Sequence, residues 1–229
     1  MSDKPITHLF TDLGGVLLTN GWDHGLRRRT AEHFGLSPAQ IAAMDDRHHL
    51  TYDTYESGKM GLSAYLDRVI FYEPHDFTKD DVIAFVLGEA RAFPDMIDLV
   101  CQLKASHGLK VAVVSNEGRE LTVDRIRRFR LDDFVDFFIV SCFVHFRKPD
   151  EDIFRMALDI AQVDPAHVVY LEDRPMFVEV AASVGMHAIW HRGYDSTREQ
   201  LAALGLALPA SSPSVPTATS SLNPPAKEQ

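Results

Sequence analysis

Five short runs of apolar residues lie along the chain, and none of them alternates between apolar and polar positions. Continuous apolar runs are typical of strands covered on both faces, as in parallel sheets. The pattern therefore predicts five buried parallel strands, at Ile6–Phe10, Val111–Val114, Phe137–Val140, Val168–Leu171 and Ala188–Trp190.

Segments with helical spacing of apolar residues separate the later strands. They are Pro94–His107, which is followed by Gly108, then Asp150–Gln162, and Phe177–Val184, which is followed by Gly185. Glycine directly after a helical pattern is a common termination signal. The alternation of strands and helices predicts an α/β fold with a doubly wound, parallel, five-stranded sheet.

The region between the first two strands contains no convincing strand. Its apolar spacing is helical at Leu26–Phe34, Leu62–Ile70 and Val82–Ala90, and Thr78 with Asp81 fits a helix start. Ligands of open α/β sheets bind at the carboxyl ends of the strands, so an insertion after the first strand should lie over that crevice as a lid. Residues 1–18 and 93–207 are predicted to form a core, and residues 19–92 an all-helical cap. Residues 208–229, which are rich in Pro, Ser, Thr and Ala, are predicted to be a disordered tail.

Composition narrows the possible partners and surroundings. The chain of 229 residues has 23 Lys and Arg against 33 Asp and Glu, and a net charge of −10 disfavours nucleic acid and anionic membranes as partners. Neither a membrane-spanning run nor a signal peptide is recognisable. Cys101 and Cys142 form no disulfide framework and are expected to be buried thiols in a cytoplasmic protein. The sequence gives no indication of oligomeric state.

Polar residues follow four of the predicted strands directly. Because parallel strands end at one edge of the sheet, these side chains should converge. Three carboxylates at one place repel each other unless a cation lies among them or one takes up a proton. Oxygen ligands suit Mg²⁺, whereas a lysine and a serine hydroxyl suit an anion. The residues, in strand order, are Asp12, Ser115 with Asn116, Lys148, and Glu172 with Asp173. A carboxylate nucleophile, a metal and an anion cradle indicate phosphoryl transfer through an aspartyl-phosphate.

Four segments in this order resemble the motifs of the haloacid dehalogenase (HAD) superfamily. They read DLGGVL at 12–17, VVSN at 113–116, KPD at 148–150 and LED at 171–173. With these motifs the chain resembles HAD-like hydrolases over about residues 5–192. It is similar to the subgroup that carries a helical cap after the first motif. The resemblance also implies that the first strand lies beside the fourth.

The resemblance implies a role for each strand-end residue. Asp12 would attack phosphorus, Ser115 and Asn116 would hold the transferring phosphoryl group, and Lys148 would neutralise the charge of nucleophile and phosphate. The resemblance further implies a Mg²⁺ site, made by Asp12, the carbonyl of Gly14, Glu172 and Asp173.

Gly14 departs from the family pattern, which usually has a second Asp two residues after the nucleophile. That Asp protonates the leaving oxygen, and such acid–base help contributes about 10²–10⁴-fold. Two interpretations stay open. The substrate has a leaving group that needs little protonation, as in anomeric sugar, acyl or aryl phosphates, or a cap residue supplies the proton.

Several cap residues are candidates for contact with substrate. His24, His48 and His49 are candidates for the missing proton donor, because an unperturbed imidazole titrates near neutral pH, although the last two also fit a solvated helix face. Trp22 and Asp23 follow the first motif directly. Arg27–Arg29 are expected to form a solvated helix face, and the alternative is that one of these guanidinium groups reaches a substrate anion. Tyr52, Tyr55, Tyr65 and Phe71 are expected to form the core of the cap.

Three functions are consistent with the sequence. The first is a Mg²⁺-dependent phosphatase acting on a small phosphorylated metabolite. The second is a 2-haloacid dehalogenase, for which Gly14 costs nothing because halide leaves without a proton, but which has no use for the carboxylates of Glu172 and Asp173. The third is a catalytically weak, phosphate-binding regulatory protein, which the intact Asp12 and Lys148 oppose.

Overall fold

A computed structural model describes residues 5–208 of the chain. The sheet has five parallel strands, in the order β3-β2-β1-β4-β5. The strands are β1 (His8–Thr11), β2 (Lys110–Ser115), β3 (Phe137–Val140), β4 (Val168–Glu172) and β5 (His187–Trp190). All five predicted strands are confirmed within two residues at either end, and β1 lies between β2 and β4, as the resemblance implied.

Ten α-helices are assigned within the described part of the chain. They are α1 (His24–His33), α2 (Pro38–Glu56), α3 (Leu62–Val69), α4 (Lys79–Gly88), α5 (Pro94–His107), α6 (Arg119–Arg128), α7 (Ser141–Val144), α8 (Glu151–Ala161), α9 (Pro175–Ser183) and α10 (Tyr194–Ala203). Within residues 5–208, none of these helices combines the length and apolarity needed to cross a membrane.

Both faces of the sheet are covered, which explains the unbroken apolar runs. Successive residues of one strand point to opposite faces. On β1, Leu9 packs in one buried cluster with α5, whereas Phe10 packs in a second cluster with α8. The same division holds along β4, where Val169 and Leu171 belong to the first cluster and Tyr170 to the second.

Helices α1–α4, here called the helical insertion, separate β1 from α5 and have an apolar cluster of their own. The start of α4 is confirmed, because Thr78 and Asp81 form a reciprocal capping box. Helix α2 was not predicted, although it is the longest of the ten. Only Met44, His48 and Tyr55 of its 19 residues are buried, so its apolar periodicity is weak.

Three expectations about buried and exposed residues need correction. Arg27 is buried, because Asp45 and the carbonyl of Trp22 bind its guanidinium, so the run Arg27–Arg29 is not uniformly solvated. His48 is likewise buried rather than on a solvated face. Cys142 is buried as expected, but Cys101 is only partly buried. The tail predicted from residue 208 onward lies outside the described residues, apart from its first residue.

Candidate active site

The carboxyl ends of β1, β2 and β4 bring the predicted strand-end residues to one place. Asp12 follows β1 directly, and its amide donates to the carbonyl of Leu171 on β4 at 2.8 Å. Ser115 ends β2, and Glu172 ends β4. The register pairs β1 with both neighbouring strands, so the three ends are level. The sheet topology therefore fixes the relative positions of these residues.

Lys148 is the buried cation of the cluster. Its Nζ lies 3.1 Å from Asp12 Oδ1 and 2.6 Å from Glu172 Oε2, and it donates to the Tyr170 hydroxyl at 2.9 Å. Burial lowers the pKa of Lys148, but the charges of Asp12 and Glu172 outweigh it, and the pKa lies above its usual value. Lys148 is therefore an ammonium group held between two carboxylates.

Asp12 is a buried carboxylate whose charge is only partly compensated. Burial raises the pKa of Asp12 most, and Glu172 raises it further. Lys148 and a hydrogen bond with Ser115 lower it, but the net shift is upward. An added positive charge at this place would stabilise the ionised, nucleophilic form of Asp12.

The acidic residues at the strand ends have the geometry of a metal site. Asp12, Glu172 and Asp173 each offer an oxygen, and these oxygens lie within 4.8 Å of one another. Oδ1 of Asp173 is buried and accepts no hydrogen bond within residues 5–208, whereas Oδ1 of Asp12 has the ion pair with Lys148. Carboxylate oxygens are the donors that Mg²⁺ prefers. The donor set therefore fits a hard divalent cation.

Gly15 makes the close approach of Asp173 possible. Its φ of +76° favours glycine, and a Cβ at this position would overlap the Asp173 carboxylate. Gly14 is different, because a Cβ there would lie 2.8 Å from Asn20 Oδ1. The Asn20 amide occupies space beside the position where the family pattern has its second Asp.

Asn116 positions the main chain of Lys148. Its Oδ1 accepts from the Lys148 amide and its Nδ2 donates to the Lys148 carbonyl, both at 2.8 Å. Asn116 and Ser115 also line the cavity described below. The side chain of Asn116 therefore joins the loop after β3 to the turn after β2.

A cavity of about 70 Å³ lies between the strand ends and the helical insertion. It is small compared with the roughly 300–1,000 Å³ of typical ligand pockets. The sequence indicated its strand-end residues and Lys148, together with Trp22 and Asp23. It missed several lining residues, because no spacing rule connects them: Tyr55, Glu56, Glu117, Gly118, Leu121, Arg174 and Phe177.

The candidate proton donors of the insertion lie elsewhere. His48, which is not among the residues lining the cavity, is buried against the Tyr65 hydroxyl at 2.7 Å. Burial, helped by Arg27, lowers the pKa of His48 to about 3, so the imidazole is neutral at pH 7. His24 and His49 are exposed. Of the aromatics predicted as cap core, Tyr55 and Tyr65 are in the apolar cluster of the insertion and Phe71 packs against it. Tyr52 is instead partly buried, outside that cluster, and stacks on His48.

Comparison with known proteins defines the family. The model of haloacid dehalogenase-like hydrolases matches residues 6–185, and the chain belongs to this family. A haloacid dehalogenase family enzyme from Bacteroides thetaiotaomicron has a TM-score of 0.71 at 20% identity, over 84% of this chain and 97% of the other. A structure of that enzyme with magnesium and inorganic phosphate gives a TM-score of 0.68 at 18% identity, over 82% and 94%.

Curated relatives match over shorter segments. Bifunctional epoxide hydrolase 2 of Sus scrofa is 26% identical over 132 residues, which are 56% of this chain and 24% of the relative. A phosphorylated carbohydrates phosphatase of Thermotoga maritima is 31% identical over 85 residues, which are 37% and 39% of the two chains. The chain thus spans less than half the length of both relatives.

Proposed function

We propose that this hydrolase is a Mg²⁺-dependent phosphatase that acts on a small phosphorylated metabolite. The observation that carries the proposal is the convergence of carboxylate oxygens from Asp12, Glu172 and Asp173, with Lys148 beside them. A similar enzyme in complex with magnesium and phosphate, and a relative named a phosphatase, support the same chemistry.

In this proposal Asp12 is the nucleophile. One of its oxygens attacks phosphorus, the bond from phosphorus to the leaving oxygen breaks, and water later hydrolyses the aspartyl-phosphate. Lys148 holds the Asp12 carboxylate and offsets the charge of the phosphoryl group, while Ser115 and the turn after β2 bind it. Asp12, Glu172, Asp173 and the carbonyl of Gly14 would hold Mg²⁺, which when bound offsets the negative charge of the phosphoryl oxygens.

The leaving group is expected to need little protonation. Three acidic residues besides Asp12 line the cavity, and each already binds a donor. Asp23 caps α1, Glu56 pairs with Arg147 at 2.6 Å, and Glu117 pairs with Arg125 at 2.7 Å. With glycine at position 14, none is free to act as the missing acid. Sugar 1-phosphates and acyl phosphates fit this restriction, and the small cavity favours small leaving groups.

The helical insertion is proposed to act as the lid of this site, with residues 19–92 as a cap on a core of residues 1–18 and 93–207. The cavity is lined from both sides, by Asp12 and Ser115 of the core and by Trp22 and Tyr55 of the insertion. Substrate would enter when the two separate, since exclusion of water by a closing lid is a common way to protect such chemistry.

Hydrolysis of phenyl phosphate tests the proposal. We expect turnover that needs Mg²⁺ and falls at least 10³-fold in Asp12→Asn, because the amide is a poor nucleophile. Asp159→Asn, the same isosteric change at an exposed residue, should leave the rate unchanged. Release of chloride from a 2-chloroacid in EDTA would instead indicate a dehalogenase. Phosphate binding without turnover of either substrate would indicate the regulatory protein.

A further inference from the structure

Tyr55 is a residue of the helical insertion that reaches the cavity. It lies in the last turn of α2, its side chain is 1% exposed, and it lines the cavity together with Asp12 and Ser115. Its ring stacks on that of Tyr65, with centroids 4.6 Å apart. Packing therefore fixes the position of the ring.

The hydroxyl groups of these two stacked tyrosines differ in their partners. The Tyr65 hydroxyl accepts from Trp22 Nε1 and contacts His48 Nδ1, both at 2.7 Å. The Tyr55 hydroxyl is equally buried but has no hydrogen-bond partner within residues 5–208. Buried polar groups are nearly always paired, so an unpaired hydroxyl in the wall of a cavity indicates a group that binds there.

The core is shaped to receive this ring. Gly118 begins α6, and a Cβ at this position would overlap the Tyr55 ring and hydroxyl. The φ of Gly118 is −71°, so the backbone alone does not require glycine there. The absence of a side chain instead lets Tyr55 lie against the turn that carries Ser115.

The Tyr55 phenol acts as a hydrogen-bond donor rather than as an acid. Burial raises the pKa of Tyr55 well above its usual value, and Glu120 and Glu117 raise it further. The phenol therefore stays protonated throughout the neutral range. A group with so high a pKa is poorly matched to proton transfer near pH 7, which leaves binding as its function.

The position of Tyr55 indicates which part of the substrate it binds. In phosphoryl transfer the attacking and leaving oxygens are roughly in line. Asp12 attacks from the core, so the leaving group points toward the insertion. Lys148 and Ser115 serve the phosphoryl end, whereas Tyr55 reaches the cavity from the helical insertion, with its ring against Gly118.

We propose that the Tyr55 hydroxyl donates a hydrogen bond to an oxygen of the leaving group, and so selects substrates whose leaving group carries an acceptor beyond the bridging oxygen. This inference rests on the proposed phosphatase activity. It defines the substrate class as phosphates of small oxygen-bearing groups, such as acyl or sugar groups, in preference to plain aryl groups. Tyr55 is thus a specificity-determining residue.

A pair of Tyr-to-Phe variants tests the proposal, with acetyl phosphate and phenyl phosphate as probes. Only acetyl phosphate has a second oxygen in its leaving group. We expect Tyr55→Phe to lower kcat/KM about tenfold on acetyl phosphate and less than twofold on phenyl phosphate, since one lost hydrogen bond has roughly this effect. The inhibition constant of inorganic phosphate should not change, and Tm should hold or rise because an unpaired hydroxyl is removed.

Tyr65→Phe is the matched control, because it removes a hydroxyl that already has partners. It should lower Tm and change the rates on both probes by the same factor. An equal effect of Tyr55→Phe on the two probes, weaker phosphate inhibition, or a fall in Tm would overturn the inference while the phosphatase stands. If the wild-type chain hydrolyses neither probe, the proposed function fails, and the inference fails with it.

Discussion

The two walls of the cavity are built in different ways. On the core side, strand ends place Asp12, Ser115 and Glu172 through backbone pairing, and Lys148 binds two of the carboxylates directly. On the insertion side, packing of rings places Tyr55, and no hydrogen bond from within residues 5–208 holds its hydroxyl.

This difference indicates that the two walls of the cavity have different functions. The core wall concentrates charge at positions that tolerate little movement, since buried charges need their partners. The insertion wall offers packed aromatic groups, and its two carboxylates, Asp23 and Glu56, bind partners other than Lys148. Chemistry is therefore expected to depend on the core wall, and selection of the leaving group on the insertion wall.

The largest effect is expected from removing the buried cation of the core wall. Lys148→Met leaves Asp12 and Glu172 uncompensated, and breaking a buried ion pair costs about 3–5 kcal/mol. We expect the free energy of unfolding to fall by that amount without metal, as measured by urea denaturation, and hydrolysis to fall by at least 10²-fold. Added Mg²⁺ should restore part of the stability, because it replaces positive charge.

Lys110→Met is the matched control for this change. Lys110 begins β2 and pairs with Asp136 at 3.3 Å, but its side chain is 64% exposed. Exposed pairs contribute about 1 kcal/mol or less. If the free energy of unfolding falls equally in both methionine variants, the buried ion pairs of Lys148 contribute no more stability than an exposed pair.

The second largest effect concerns the missing acid at Gly14. Gly14→Asp alone should gain less than the double variant, because its Cβ would lie 2.8 Å from Asn20 Oδ1 and the Asn20 side chain would have to move. Gly14→Asp combined with Asn20→Ala makes room for the carboxyl group. We expect the double variant to hydrolyse glycerol phosphate, whose glycerol is a poor leaving group, about 10²-fold faster than the wild type. Phenyl phosphate should be hydrolysed only slightly faster, in line with general acid catalysis.

Asn20→Ala by itself is the control for the added space. A rate increase of equal size on both substrates would show that protonation does not limit turnover. An increase in the single Gly14→Asp variant as large as in the double variant would show that Asn20 is no obstacle.

The charged residues of the core side were predictable from sequence, and the physical reason is topology. Asp12, Lys148, Glu172 and Asp173 each follow a strand or loop whose end is fixed once the sheet is parallel. The two covered faces and the approximate positions of six helices followed from apolar patterns, whereas α2, α6, α7 and α10 were not predicted. The placement of β1 beside β4 came from the family resemblance. Local sequence patterns were sufficient for the strand-end residues, because hydrogen-bonded strand pairing fixes the relative positions of the strand ends.

The insertion wall was not predictable from such patterns. Its contacts join residues far apart in sequence, such as Trp22 with Tyr65 and Tyr55 with Gly118. The buried pair of Glu117 and Arg125 belongs to the same class, because neither residue looks apolar in a sequence. Packing decides these positions, and apolar spacing on α2 was too sparse to indicate its buried side.

The smallest effect concerns His48, which supports the insertion wall from behind through Tyr65. Its folded pKa of about 3 lies below the usual 6.5, so the unfolded chain binds the proton more readily. The stability contributed by neutral His48 is present above pH 6.5 and is lost as pH falls toward 3. Between pH 7.5 and 5 this amounts to about 2 kcal/mol, from 1.36 kcal/mol for each pKa unit.

His48→Gln removes the titration and can keep a hydrogen bond to Tyr65. The unfolding free energy of this variant, measured in urea across that range, should therefore fall by about 2 kcal/mol less than in the wild type. His49→Gln, at the exposed neighbouring residue, should keep the wild-type slope; if the two variants have the same slope, His48 does not make the insertion wall the acid-sensitive side of the cavity.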